Sequence, residues 1–259
     1  TDGTGQFLLE SKRGLPSIRA VLTKSLGLFK LSPSLFGQYY NLRLPQNESG
    51  KTDVLVGAFM FMRKHLYEQL DGFDENFFMY GEDIDISFRS LKLGMTNFYL
   101  SNTNVIHFKG ESTPKNKAYE KRFFNAMSYY YKKNFSHNSL LNFVFLIGSY
   151  VFSKFKRIMS SRRGEIKPVH VNDWILLSAN PALYKFVKAN IFPSMKQCES
   201  LLEVLQVETK GLTGIVFDMR SIQWYEVISF MQLHQARYIY KFISADNKLI
   251  IGSSDVLSR

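Results

Sequence analysis

At 259 residues, 45% of them hydrophobic and 21% charged, the chain is long enough to bury one large core or two modest ones, which excludes wholesale disorder. Its single cysteine, Cys198, excludes an internal disulfide framework and a cysteine-built metal site, fits a reducing cytosol, and reads as an ordinary small buried residue. The formal charge of +11 implies an acidic partner, be it nucleic acid, an anionic membrane face or a phosphorylated substrate, without choosing among them.

Residues 1 to about 50 are rich in Gly, Ser, Pro and basic side chains, with a turn signal at Asp2-Gly3 and a short helix-like apolar run from Ile18 to Leu28. No secretory signal precedes Thr1. The chain opens in mid-pattern and closes at Arg259 without a terminating motif, so a piece of a longer protein is expected. From Thr52 the pattern tightens. Val54, Val56, Phe59 and Phe61 predict a buried strand, and Lys64 to Leu70 a helix ending at Gly72. A further helix is expected from just after Gly81 to about Leu93, with Ile84, Phe88 and Leu91 at helical spacing and Gly94 as its stop. Thr96 to Tyr99 reads as a strand, Asn104 to Phe108 as extended chain, and Lys117 to Lys133 as a basic, aromatic helix.

Leu140 to Phe152 is the most apolar run, but its 13 residues fall short of the roughly 20 that span a bilayer as a helix. Its flanks carry Lys132, Lys133, Lys154, Lys156, Arg157, Arg162 and Arg163. Two readings stay open: a helix lying in the interface of an anionic leaflet, or a core helix with a solvated basic tail. A boundary is expected between Ser160 and Pro168. Beyond it, strand-like Trp174–Leu177, Ile215–Asp218, Tyr238–Ile243 and Leu249–Ile251 alternate with helical Ala182–Lys188, Glu199–Gln206 and Trp224–Leu233, which implies a small parallel α/β domain.

The chemistry concentrates in Gly72-Phe73-Asp74-Glu75-Asn76-Phe77-Phe78-Met79-Tyr80-Gly81-Glu82-Asp83-Ile84-Asp85. Glu82, Asp83 and Asp85 fall in a first helical turn, where unpaired N–H groups and the helix dipole favour ionised carboxylates by about 0.3–1 kcal/mol each. A carboxylate held there can take a proton from a sugar hydroxyl; the alternative is ordinary helix capping. Arg89, four residues after Asp85, is placed for an ion pair that fixes the turn.

The ordered set Val56-Gly57-Ala58-Phe59-Met60-Phe61-Met62-Arg63-Lys64, Gly72-Phe73-Asp74-Glu75, Phe78 to Asp85 with Arg89 and Gly94, and Val105-Ile106-His107 covers about sixty residues. It closely resembles glycosyltransferase family 2, in particular its rhamnosyltransferase-like branch. The resemblance implies a bacterial, inverting transferase of the α/β GT-A fold. Residues 1–116 would be the acceptor-side, C-terminal half of the catalytic domain, 117–168 basic and aromatic helices with a membrane-interface segment, and 169–259 a small, truncated Rossmann-like α/β domain. By position, Asp83 is implied as the general base, supported by Glu82 and Asp85, with Gly57, Ala58 and Arg89 binding substrate. Gly57 and Ala58 equally suit tight strand packing. His107 resembles a ligand to the divalent ion, Mg or Mn, expected on the donor diphosphate in the full-length enzyme, and a structural histidine is the alternative.

The expected partners are a nucleotide-sugar donor, a glycan or polyprenyl-linked acceptor for surface polysaccharide synthesis, and an anionic membrane surface at the cytoplasmic face, where the protein would be peripheral. Nucleic acid has no motif to support it. The family's donor-binding half with its Asp-x-Asp motif has no counterpart after Thr1, so the isolated chain is expected to have negligible activity. In the tail, Leu177-Ser178-Ala179-Asn180-Pro181-Ala182 replaces a Gly-rich turn, so NAD is not expected and a structural or regulatory domain is preferred. The reading from another class is a non-catalytic membrane-docking or assembly module.

Overall fold

The computed structural model describes residues 1–108, 117–135, 171–209, 211–235, 237–244 and 250–252. The chain divides into two units, one of Leu9–Thr103 with Thr113–Glu165, the other of Thr1–Leu8 and Asn104–Ser112 with Ile166–Arg259. The apolar run Leu140–Phe152 lies outside the described residues.

In chain order the first unit contains β1 (Lys12–Arg13), α1 (Ile18–Ser25), α2 (Pro33–Phe36), β2 (Gly50–Lys51), β3 (Val54–Leu55), α3 (Lys64–Gln69), α4 (Glu82–Lys92), β4 (Phe98–Tyr99) and α5 (Lys117–Phe135). Its strands form two small antiparallel ladders, β1 with β3 and β2 with β4. The strand expected through Phe61 is therefore much shorter. Only Val54 and Leu55 find a partner in β1, the chain turns at Gly57 and Ala58, and Phe59 and Phe61 are exposed. Helix α4 buries Ile84 against Val54 and against Ala126, Met127 and Tyr130 of α5, and burial of an isoleucine of this kind is worth about 1.5–3 kcal/mol. Polar groups fix the register. Leu55 donates its N–H to Ser87 Oγ at 3.3 Å, and Asn97 Nδ2 donates to the carbonyls of Asp53 and Ser87 at 2.6 and 3.0 Å. These bonds hold the middle of α4 beside β3.

The second unit contains β5 (Asp173–Leu177), α6 (Pro181–Asn190), β6 (Met195–Cys198), α7 (Leu201–Gln206), β7 (Thr213–Asp218), α8 (Trp224–Leu233), β8 (Tyr238–Ile243) and β9 (Ile250–Gly252). Their order in the sheet is β6-β5-β7-β8-β9, a doubly wound arrangement. Pairing is parallel except between β8 and β9. That exception corrects the expected all-parallel reading. Six residues separate β8 from β9, and a parallel return needs a crossover of a dozen or more. The near-continuous apolar runs of β5 and β7 follow from cover on both faces. Ile175 and Leu177 pack with Val204 and Val227 on one side, while Trp174 and Leu176 pack with Leu183 and Val187 on the other. Strand β6 escapes the sequence pattern because Lys196 and Gln197 interrupt it; its Cys198 is buried in the core. Asn104–Phe108 forms no strand. Val105 O accepts a hydrogen bond from the Thr1 backbone nitrogen, and Ile106 and Phe108 pack on this unit's core.

Local capping explains the turn after β5. Asn180 Oδ1 accepts the N–H groups of Ala182 and Leu183 at 3.0 and 3.2 Å, and Pro181 at the first helical position has no N–H to satisfy. Replacing Asn180 with Ala should lower the unfolding free energy by about 1 kcal/mol, whereas Asp or Ser at that position should preserve it; urea titration of the purified variants checks this.

Candidate active site

Asp83 occupies the first turn of α4, whose entry is unusual. Tyr80 and Gly81 both adopt left-handed backbone, φ 71° and 89°, and for a non-glycine such as Tyr80 that conformation costs on the order of 1–3 kcal/mol. A Cβ at Gly81 would lie 3.0–3.1 Å from the Phe77 ring and the Met127 methyl, so both its backbone and its space require glycine. This strained corner sets the direction in which α4 begins.

The Asp83 side chain is only 12% exposed, and its two oxygens are used differently. Oδ2 accepts from Arg13 Nη2 at 2.5 Å and from the Gly57 N–H at 3.2 Å. Oδ1 has no hydrogen-bond partner among the described residues. Gly57 approaches closely enough that a Cβ there would sit 3.3 Å from Asp83 Cβ. Its missing side chain makes room for the carboxylate itself. Ala58, next in the same turn, is exposed.

Arg13 reaches this position from β1, 70 residues upstream, and is itself buried. Burial alone would lower its guanidinium, but the facing Asp83 carboxylate and Tyr39 outweigh that effect and the group is raised. Glu82, half-buried beside the pair, behaves oppositely. Burial, reinforced by the Asp83 charge, pushes its carboxyl up, and Oε2 is sealed from solvent without a hydrogen-bond partner among the described residues.

Asp85 belongs to another network. Two residues along a helix are about 200° apart, so Asp85 faces away from Asp83. It is fully buried, accepts Arg89 Nε at 2.7 Å, and lies 2.9 Å from Lys133 Nζ of α5. Arg89 spends its remaining donors on the carbonyls of Leu70 and Gly72. Lys133 also contacts Asp74 at 2.7 Å, and Tyr129 donates to the same carboxylate at 2.9 Å. Arg89, Lys133 and Asp74 border a cavity of about 450 Å³.

Of the residues singled out by sequence, Asp83 and Gly57 therefore meet directly and Glu82 adjoins them. Asp85 and Arg89 form the neighbouring network. His107 lies in the other unit, with its backbone N–H on Thr1 O. Among the described residues no group of three or more His, Cys, Asp or Glu side chains gathers as a metal site. Arg13 had no role in the sequence reading, and Lys133 and Tyr129 figured only as parts of a basic, aromatic helix, because long-range pairing brings each to its carboxylate.

Comparison with known proteins finds 34% identity over 109 residues with N-acetylglucosaminyl-diphospho-decaprenol L-rhamnosyltransferase of Mycobacterium tuberculosis, in strains CDC 1551 / Oshkosh and ATCC 25618 / H37Rv. The match covers 42% of this chain and 35% of each relative. The chain thus spans about a third of the length of the curated relatives it matches, and its relationship is to a glycosyltransferase. No protein-family model matches the chain, and no solved structure does.

The Asp74–Lys133 contact carries a pH prediction. Burial by itself would raise the Asp74 carboxyl, but hydrogen bonds from Lys133, Asn76 and Tyr129 outweigh it and hold the group below the usual value of about 3.9. A depressed folded value contributes stability that is present above about pH 4 and lost as pH falls toward it. Lys133→Met should cost about 1.5–3 kcal/mol at pH 7, since Asp74 loses its cation while Asp85 keeps Arg89. It should also flatten the loss of stability below pH 4. Denaturant unfolding at pH 3, 4 and 7 reads both effects.

Proposed function

We propose that this chain is the acceptor-side portion of an inverting, family 2 glycosyltransferase of the GT-A fold, in which Asp83 is the general base. The observation that carries this reading is the divided Asp83 carboxylate, with Oδ2 fixed by Arg13 and Gly57 and Oδ1 without a hydrogen-bond partner among the described residues. The similarity to a rhamnosyltransferase supports it.

In the proposed reaction the acceptor hydroxyl approaches Oδ1. As its oxygen forms a bond to the anomeric carbon, the proton passes to Asp83 and the bond to the nucleoside diphosphate oxygen breaks from the opposite face, inverting the centre. Arg13 and the Gly57 N–H hold the carboxylate in one orientation, so little reorganisation accompanies proton transfer. Glu82 borders the base with a raised carboxyl, and Asp85 with Arg89 braces the first turn from behind. The exposed aromatic rings Phe59, Phe61 and Phe78, all of which precede the acidic turn in sequence, offer rigid surface for a glycan.

The donor is a nucleotide-sugar. The acceptor is a lipid-linked glycan, by analogy with the relative, whose printed name specifies a diphospho-decaprenol, and the protein would work peripherally at the inner membrane face. No helix among the described residues is long and apolar enough to cross a membrane. The resemblance also implies a divalent ion on the donor diphosphate, for which His107 would be a ligand and which would stabilise the leaving group's charge. The described residues gather no cluster of three or more His, Cys, Asp or Glu side chains.

In the complete protein, Asp83→Asn should reduce kcat by on the order of 10²–10⁴-fold while nucleotide-sugar binding, followed by calorimetry, stays within about twofold of wild type, because the substitution removes a proton acceptor and leaves the donor contacts alone. Wild-type turnover in that variant would assign the Arg13–Asp83 pair to structure alone.

A further inference from the structure

Between Gly14 and Lys51 the sequence holds five cations, Arg19, Lys24, Lys30, Arg43 and Lys51, against one carboxylate, Glu48. This stretch folds as a small helical layer of α1, a 3-10 turn at Leu28–Lys30, α2 and a second 3-10 turn at Gly37–Tyr40, which pack on one another. Its own core is Ala20, Tyr39 and Tyr40, with Leu9, Phe29 and Leu42 against them. Three leucines stay outside that core. Leu26, Leu31 and Leu35 are 65%, 81% and 61% exposed, one at each successive turn of the layer.

Single exposed leucines are ordinary on a protein surface. Three on one basic layer are a different matter, because apolar side chains among cations match an anionic bilayer interface on both counts. A cavity of about 470 Å³ adjoins this surface, with Leu35 on its rim and Arg19, Arg43 and Lys51 on its walls. None of those three cations has a carboxylate partner among the described residues. The carboxylate on its wall, Asp53, accepts the Leu15 N–H. The cavity is thus electropositive and able to receive a lipid phosphate. The exposed rings Phe59 and Phe61, which pack edge to face on each other, are already assigned to the glycan in the proposed reaction.

We propose that the layer from Arg19 to Arg43 is a membrane-docking surface, with Leu26, Leu31 and Leu35 entering the interface of an anionic leaflet and the cavity cations meeting lipid phosphates. The proposal takes its setting from the lipid-linked acceptor assigned above, yet vesicle binding is measured without any transfer reaction, so either can fail alone. The test is co-sedimentation of the chain with phosphatidylcholine vesicles and with vesicles containing phosphatidylglycerol, for wild type, a Leu26→Ser/Leu31→Ser/Leu35→Ser variant and an Arg19→Gln/Arg43→Gln/Lys51→Gln variant. All six positions are solvent-facing or partly so, and unchanged thermal melting confirms that the variants remain folded.

The expected result is at least tenfold stronger partitioning of wild type onto anionic than neutral vesicles. The leucine variant should lose at least tenfold on anionic vesicles, and the cation variant most of the anionic preference. Wild-type partitioning by the leucine variant overturns the proposal and moves the contact elsewhere in the chain. Failure of wild type to sediment with anionic vesicles also overturns it, including the case in which the protein instead retards single-stranded RNA.

Discussion

The pairing of Arg13 with Asp83 is the constraint around which the first unit is arranged. A guanidinium cannot remain buried without an anion to face it, and the anion comes from the first turn of a helix 70 residues later. Satisfying that demand fixes β1 against β3, places the start of α4 over the end of β3, and requires a residue without a side chain at Gly57. Left-handed backbone at Tyr80 and Gly81 then turns the chain so that Asp83, and not its neighbours, meets the guanidinium. The strain is local, and the contacts that offset it are spread over three elements.

Helix α4 separates two carboxylates that the sequence places side by side. On one face Asp83 keeps an oxygen clear of donors among the described residues. On the other, Asp85 is fully buried and neutralised by Arg89 and Lys133, while Asp74 joins the same network through Lys133 and Tyr129. The second network closes α4 against α5 and the preceding turn, and its worth lies in rigidity. A base whose backbone cannot shift needs such a brace, since misplacement by about 1 Å can cost two orders of magnitude in rate. Under the proposed reading, the same acidic motif supplies both a proton acceptor and the clamp that positions it.

Much of this was legible in the chain. Helix α4 announces itself through Ile84, Phe88 and Gly94, and Trp224–Leu233 and Tyr238–Ile243 emerge with the limits expected of them, because periodicity and stop signals are local properties. The strand through Phe61 was misjudged, since alternating apolar residues state only that a face wants cover, and β1 offers cover for two residues. Strand β6 was missed because it is polar at Lys196 and Gln197, and β9 turned antiparallel because its link is short. At the site, the acidic turn was visible but Arg13, Lys133 and Tyr129 were not. Their partners lie 48 to 70 residues away, and no spacing rule reaches across that distance.

The central claim, that Asp83 is a base held by Arg13 and not merely Arg13's counter-ion, is tested most directly by combining Arg13→Met with Asp83→Asn and measuring unfolding free energy and sugar transfer on the same preparation. Asp83→Asn alone leaves a buried guanidinium unpaired and should destabilise the protein, and removing the guanidinium as well should recover most of that loss. The account predicts that stability returns while transfer stays absent; recovery of transfer together with stability would contradict it.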